Sequence, residues 1–365
     1  MRPSASPNWN VGYASTRRWP HGDAWTRRVL APLSAFLGDH SNEPVTNIVV
    51  GAIAACSASF VTHPIEVAKL RIQLQGELQP PIADRSARAR PVYRNTLQAI
   101  YTMYRYDGVL AVYRGLLTNL VYQLLANGLR LGVYQISEDL GLTLDENLEP
   151  SIRLSAVFGG VSGALGAFVS SPLFLLKTHL QLHSSTAAIA VGYQHGYGTA
   201  LAALVNIYKT QGAWNGLWRA TSSNILRLST GSALQMSTFI GFKSLLNTAF
   251  EGREGYFFIN MMIAAFLSGL TSAPFIAVLD VLRARMYAQP SNPRGEGIYY
   301  NNIRDCIIKV KKTEGLRGLS RGVGGAFFYT MTSSVLTLVT WEEIKKEIDK
   351  ERQHSVDDLL DYGVH

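Results

Sequence analysis

The feature that most restricts this chain is an internal repeat. His63-Pro64-Ile65-Glu66-Val67-Ala68-Lys69-Leu70-Arg71-Ile72-Gln73 is followed by Asp107-Gly108 and then by Tyr113-Arg114-Gly115. Ser171-Pro172-Leu173-Phe174-Leu175-Leu176-Lys177-Thr178-His179-Leu180-Gln181 restates the pattern, with Gly212 and Trp218-Arg219 behind it. Asp280-Val281-Leu282-Arg283-Ala284-Arg285 opens a third copy that runs on to Glu314-Gly315 and Arg321-Gly322. Pro172 lies 108 positions after Pro64, and Gly108, Gly212 and Gly315 are spaced 104 and 103 apart. Self-similarity at a fixed period constrains architecture ahead of any local reading: the fold consists of three copies of one unit.

Each copy lies on apolar sequence. Hydrophobic residues make up 47% of the chain and charged residues 16%, against ~25% charged in ordinary soluble domains. Polar residues nevertheless recur within the apolar segments, and in a bilayer such groups must face a protein interior or a water-filled cavity. Apolar runs and breakers predict six long helices, at 46–75, 114–140, 151–183, 219–250, 256–289 and 321–350. Segments 93–106, 196–211 and 299–313 each end before an acidic-Gly or Gln-Gly signal and read as short amphipathic helices at a membrane surface. Small-x-x-x-small spacing at Gly51 with Ala55, Gly128 with Gly132 and Gly159 with Gly163 predicts close helix approach at each pair. Pro64 and Pro172 fall inside helical runs, where proline removes a backbone hydrogen bond and kinks the helix, swinging its end inward.

The motif Pro-x-acid-x-x-base-x-base, followed by acidic-Gly and aromatic-base-Gly, resembles the signature of the mitochondrial carrier family over roughly residues 45 to 350. The resemblance implies an all-α membrane protein of six transmembrane helices in three tandem repeats, with threefold pseudosymmetry and short surface helices. The repeats are expected at 45–145, 146–252 and 253–350, between an N-terminal tail, 1–44, and an acidic C-terminal tail, 351–365. It implies a monomer that moves a solute by alternating access. The matrix-side gate would be built from Pro64, Glu66, Lys69, Gln73, Pro172, Lys177, Gln181, Asp280 and Arg283. By the family's rule the acid of one repeat meets the base of the next, pairing Glu66 with Lys177 and Asp280 with Lys69. Phe174 stands where the third acid would be, leaving Arg283 without its partner, while Gln73, Gln181 and Tyr287 occupy the bracing positions. The third repeat also places Val278 at the expected proline, with Pro274 one turn earlier.

The opposite, cytoplasmic-side gate uses an aromatic-acidic-x-x-basic pattern in the family. Trp341-Glu342-Glu343-Ile344-Lys345 matches it, the segment ending at Lys243 keeps only the base, and Tyr134 to Glu138 lacks both expected charges. Arg130 and Arg227 are isolated bases in mid-helix, where charge is costly without a use, and Gln235 follows Arg227 two turns on along the same face. These three are candidate substrate-binding residues, because a guanidinium presents fixed bidentate donors to carboxylate or sulfate. Within the family the chain is most similar to the oxaloacetate and sulfate carrier subgroup. The similarity is carried by residues 60–66, 74–77, 127–132, 171–178 and Gly231-Ser232 with Gln235, Phe174 included. That implies a dicarboxylate, oxaloacetate or sulfate-like substrate. In the sixth helix Tyr329 and Thr332 replace the arginine and proline of that subgroup, which leaves open an alternative, a carrier-fold membrane adaptor or receptor that does not transport.

No phosphate-binding loop, dinucleotide fingerprint or nucleophile cluster occurs, so the reading is not an enzyme and needs no cofactor. Cys56 and Cys306 are isolated and the eight histidines lack metal spacing, so no metal site is expected; His179, in the place of the repeat's second base, reads as a gate or headgroup-facing residue. The net charge of +8 is spread over helix ends and loops, which suits anionic lipid, cardiolipin among it, and anionic solutes, and not nucleic acid. Arg2, Arg17, Arg18, Arg27 and Arg28 make the leader similar to a mitochondrial transit peptide, in keeping with the inner membrane that the resemblance implies, while Pro3, Pro7 and Pro20 interrupt any long amphipathic helix and suit a plain disordered tail equally well.

Overall fold

The computed structural model describes residues 43–77, 92–145, 149–249 and 257–362. The arginine-bearing leader and the proline-rich segment 78–91, expected to be a loop, lie outside the described residues. Three triplets of helices follow one another. The first is α1 (Glu43–Leu74), α2 (Thr96–Asp107) and α3 (Leu116–Asp139); the second is α4 (Ile152–Leu182), α5 (Ala200–Gln211) and α6 (Thr221–Ala249). The third is α7 (Phe257–Ala288), α8 (Ile303–Glu314) and α9 (Val323–Tyr362).

The short helices share one construction. Asn95, Thr199 and Asn302, each extended in backbone, accept a hydrogen bond from the amide three residues on and so cap α2, α5 and α8. Gly108, Gly212 and Gly315 end them at φ of 84°, 81° and 71°, where a side chain would clash with its own backbone. These caps explain why the helices begin at 96, 200 and 303, three or four residues later than the apolar pattern suggested.

The long helices invert the soluble pattern. Ser155, Gly159, Ser162, Gly163, Gly166, Ser170 and Ser171 are buried on α4, while Val157, Val161, Leu165 and Phe168 are exposed at three- and four-residue spacing. Val109–Asp139, Ile152–Leu182 and Asn260–Ala288 are long and apolar enough to cross a membrane, with only 33%, 33% and 22% of their most apolar windows buried. An exposed apolar belt around a core of small polar groups is what lipid as solvent requires.

α4 packs against α3 and α6, and α6 against α7. A Cβ on Gly163 would meet Leu228 O at 2.5 Å, and one on Gly159 would meet Ser232 O at 3.1 Å, so both glycines of this pair lie in the α4–α6 contact. The expectation for Gly128 and Gly132 is corrected: among the described residues nothing lies within 4 Å of a Cβ at either. The α3–α4 approach is made from the other side, where Gly166 faces Ala126 O at 2.8 Å. Spacing alone does not say which face of a helix meets a neighbour.

Residues 51–340 form one unit. The ends 43–50 and 341–362 belong to a second, in which Lys346 and Glu343 pair at 3.2 Å. The acidic segment expected as a tail is helical as far as Tyr362, since beyond Gly325 α9 meets no proline and no glycine before Gly363.

Candidate functional site

The C-terminal halves of α1, α4 and α7 bring the repeat motif into one cluster. Lys177 Nζ donates to Glu66 Oε1, and Lys69 Nζ donates to Asp280 Oδ2 at 2.5 Å. Glu66 is held from a second side by Asn119 Nδ2 at 2.7 Å, and His63 stands against both. Asp280, 3% exposed in its side chain, serves three cations: besides Lys69 it accepts from Arg227 Nε at 2.7 Å and from Arg283 Nη2 at 3.1 Å.

Arg283 therefore does not lack partners. Its Nη1 donates to Tyr122 OH and Asn224 Oδ1, each at 3.2 Å, and its Cζ lies 4.0 Å from the centroid of the Phe174 ring. The phenyl group that replaces an acid offers its negative π face instead. Tyr287 meets Phe174 edge-on at 4.9 Å between centroids, and Lys177 sits 4.9 Å over Tyr122, so aromatic rings line this side of the cluster. Asn119 and Asn224, which the motif reading missed, are legible as a repeat: each lies five residues after the base of Arg114-Gly115 and Arg219-Ala220.

Beneath these ion pairs runs a second tier of contacts, made by the second base of each repeat. Arg71 Nε donates to Gln181 O at 3.4 Å, His179 Nε2 lies 3.1 Å from Tyr287 O, and Arg285 Nη2 donates to Gln73 O at 3.5 Å. Each repeat thus reaches the backbone of the next. The glutamines expected as side-chain braces act here through their main-chain carbonyls, and their side-chain amide nitrogens are buried without a hydrogen-bond partner among the described residues. Arg71 is also paired with Asp107 at 3.4 Å, and Arg285 with both oxygens of Glu314. Burial works to raise the Asp107 carboxyl, but bonds from Ser184 and Thr186 and the Arg71 charge outweigh it and hold the group below its ordinary value.

The second repeat keeps neither charge of that internal pair, having His179 and Gln211. His179, expected at a gate or near headgroups, is instead buried against His195, with ring centroids 3.5 Å apart. His195 Nε2 lies 3.0 Å from Ala288 O, and burial pushes its imidazole down to about 4. Arg219 Nη2 joins the same backbone at Tyr287 O and Gln289 O, both 3.3 Å away.

Of the three candidate binding residues, Arg130 Nη1 and Gln235 Oε1 are 3.0 Å apart, with Ser232 Oγ at 3.5 Å, while Arg227 is bonded to Asp280. Opposite them Gln123 Nε2 donates to Ser59 Oγ and Tyr329 OH, and Lys69 lies 5.8 Å over the Tyr329 ring. Pro64, Pro172 and Pro274 all stand within continuous helices. Lys243 is on α6; the side chains of Glu342 and Lys345 lie outside the described residues. Among the described residues no group of three potential metal ligands occurs.

Three helical triplets, a lipid-suited exterior and charges gathered at the ends of the odd-numbered spans define a three-repeat membrane protein of the solute-carrier kind. Comparison makes the class specific. The family described as "Mitochondrial carrier protein" matches at residues 40–142, 149–250 and 254–352, and the chain belongs to that family, whose members are transporters. It is 35% identical over 300 residues to the mouse protein named solute carrier family 25 member 35, covering 82% of this chain and 97% of that one. It is 33% identical to the mitochondrial oxaloacetate transport protein of Saccharomyces cerevisiae, over 82% and 89% of the two chains. The mitochondrial citrate transporter E of Aspergillus niger is 30% identical, over 86% of this chain and 96% of that one.

Proposed function

We propose that this chain carries a small anionic metabolite, a dicarboxylate, oxaloacetate or sulfate-like ion, across the mitochondrial inner membrane by alternating access. The observation that carries the reading is the placement of two guanidinium groups in mid-helix among hydrogen-bonding side chains: Arg130 with Gln235 and Ser232, and Arg227 beside Asp280. Charge within a span is costly and marks a solute path, and arginine suits carboxylate and sulfate through paired donors. Relatives named for oxaloacetate and citrate, both anions, support the same class.

In this reading the Glu66–Lys177 and Lys69–Asp280 pairs close one side, and Lys243, Glu342 and Lys345 serve the other. The solute shifts the balance between the two closed forms only by binding them differently. The test is uptake of labelled oxaloacetate, malonate, malate and sulfate into liposomes holding the purified protein, with and without internal counter-substrate. Saturable uptake that disappears in Arg130→Ala and Arg227→Ala is expected. Normal uptake by Arg227→Ala ends its role in binding. Failure of the folded wild-type protein to take up any of the four favours a membrane adaptor of carrier fold.

A further inference from the structure

Around Asp280 the charges do not balance. The cluster holds four cations, Lys69, Lys177, Arg227 and Arg283, against two carboxylates, Glu66 and Asp280. Arg130 is near enough to Arg227 for their charges to repel, which brings the excess in this region to three. The position that a third acid would fill belongs to Phe174, whose ring faces Arg283 without altering the count. Two donors are also unspent: the buried Nε atoms of Arg283 and Arg130 have no hydrogen-bond partner among the described residues. Arg227, 23% exposed in its side chain, bonds Asp280 through Nε alone among the described residues.

We infer that the cluster is one acid short because the transported anion supplies the missing charge, and that Phe174 thereby sets a preference for anions of charge −2 or −3 over monoanions. The inference rests on the proposed transport of an anion and gives that site its charge rule. An uncompensated positive excess inside a bilayer is unfavourable. A dianion reaching Arg130 and Arg227 removes most of the excess and a monoanion little of it. The same ion competes with Asp280 for Arg227, so binding loosens the carboxylate that also holds Lys69.

The experiment compares Phe174→Glu with the wild-type protein. Half-saturation is measured for formate, malonate, sulfate and citrate, by inhibition of uptake and by thermal shift of the purified protein. The ratio of malonate to formate affinity, compared between the two proteins, cancels the difference in ligand size. In the variant that ratio should fall by roughly tenfold, since a restored carboxylate opposes the second negative charge of malonate on top of the single one it shares with formate, and the unliganded protein should melt higher. If Phe174→Glu shows no cooperative melt, Arg283→Gln, which lowers the excess by one from the cationic side, is read in the same way. A ratio that stays at the wild-type value, or rises, in a folded variant overturns the charge rule. Wild-type protein that neither binds nor carries any of the four anions overturns the proposed transport itself, a different result.

Discussion

Removing the acid that three cations share tests the energetics of the cluster directly. Asp280→Asn keeps the side chain's shape but replaces a carboxylate 2.5 Å from Lys69, 2.7 Å from Arg227 and 3.1 Å from Arg283. Deleting one partner of a buried ion pair costs ~3–5 kcal/mol, because the charge left behind stays desolvated. Here three are left, and the amide turns a donor toward cations. At about 1.3 °C per kcal/mol for a chain of 365 residues, the variant should melt at least about 4 °C below the wild type in detergent. Sulfate, by occupying the vacated charge position, should raise the variant's melting temperature more than it raises that of the wild type. Equal melting temperatures without sulfate, within about 2 °C, would refute the view that Asp280 offsets the cations around it.

Ala220 sits at φ 61°, where the equivalent residues of the other repeats are Gly115 and Gly322 at 76° and 78°. The left-handed conformation costs a side chain ~1–2 kcal/mol, part of which glycine returns as unfolded-state entropy. Ala220→Gly should therefore raise stability by up to about 1 kcal/mol, read as a small upward thermal shift, and a lower melting temperature would contradict the account. His195 is held down to about 4 by burial, below its unfolded value of ~6.5. The unfolded chain thus binds more protons between these values, so stability should fall as the pH drops from about 6.5 toward 4 and be unaffected above it. His195→Phe should flatten that slope in thermal melts taken across the interval. The Cys306 thiol is fully buried and pushed up by burial to about 12, so maleimide at neutral pH should label it only after denaturation.

The period told most about this molecule, because a triplication states which residues are equivalent. The pairing rule implied by the family resemblance, applied to those equivalents, put Glu66 near Lys177 and Asp280 near Lys69, and the same equivalence relates Asn119 to Asn224, five residues after the base of each aromatic-base signal. It could not say what Arg283 does when Phe174 replaces an acid, since the answer comes from Tyr122 and Asn224 on other helices and from a ring face that a charge pattern does not register. His179 was misread for a related reason: its stacking partner, His195, lies in a loop with no counterpart in the motif. The glycine pairs divided between Gly159 with Gly163, which meet α6, and Gly128 with Gly132, which meet nothing. α9 runs past the expected end at 350, because Glu, Lys and Leu continue a helix readily.

The contacts beneath the ion pairs, from Arg71, His179 and Arg285 to the carbonyls of residues 181, 287 and 73, have acceptors that no substitution short of proline-like distortion can delete. Every amino acid carries that oxygen. The acceptor half of each joint therefore survives any exchange of side chain, and sensitivity at residues 73, 181 and 287 in a saturation scan would report their buried side chains rather than the loss of these bonds. The three acceptor positions hold Gln, Tyr and Gln, so an amide side chain and a phenol stand over the same kind of contact. A joint written into the main chain lets Tyr287 pack its ring against Phe174, where the other two repeats have Gln, while the three units stay fastened together.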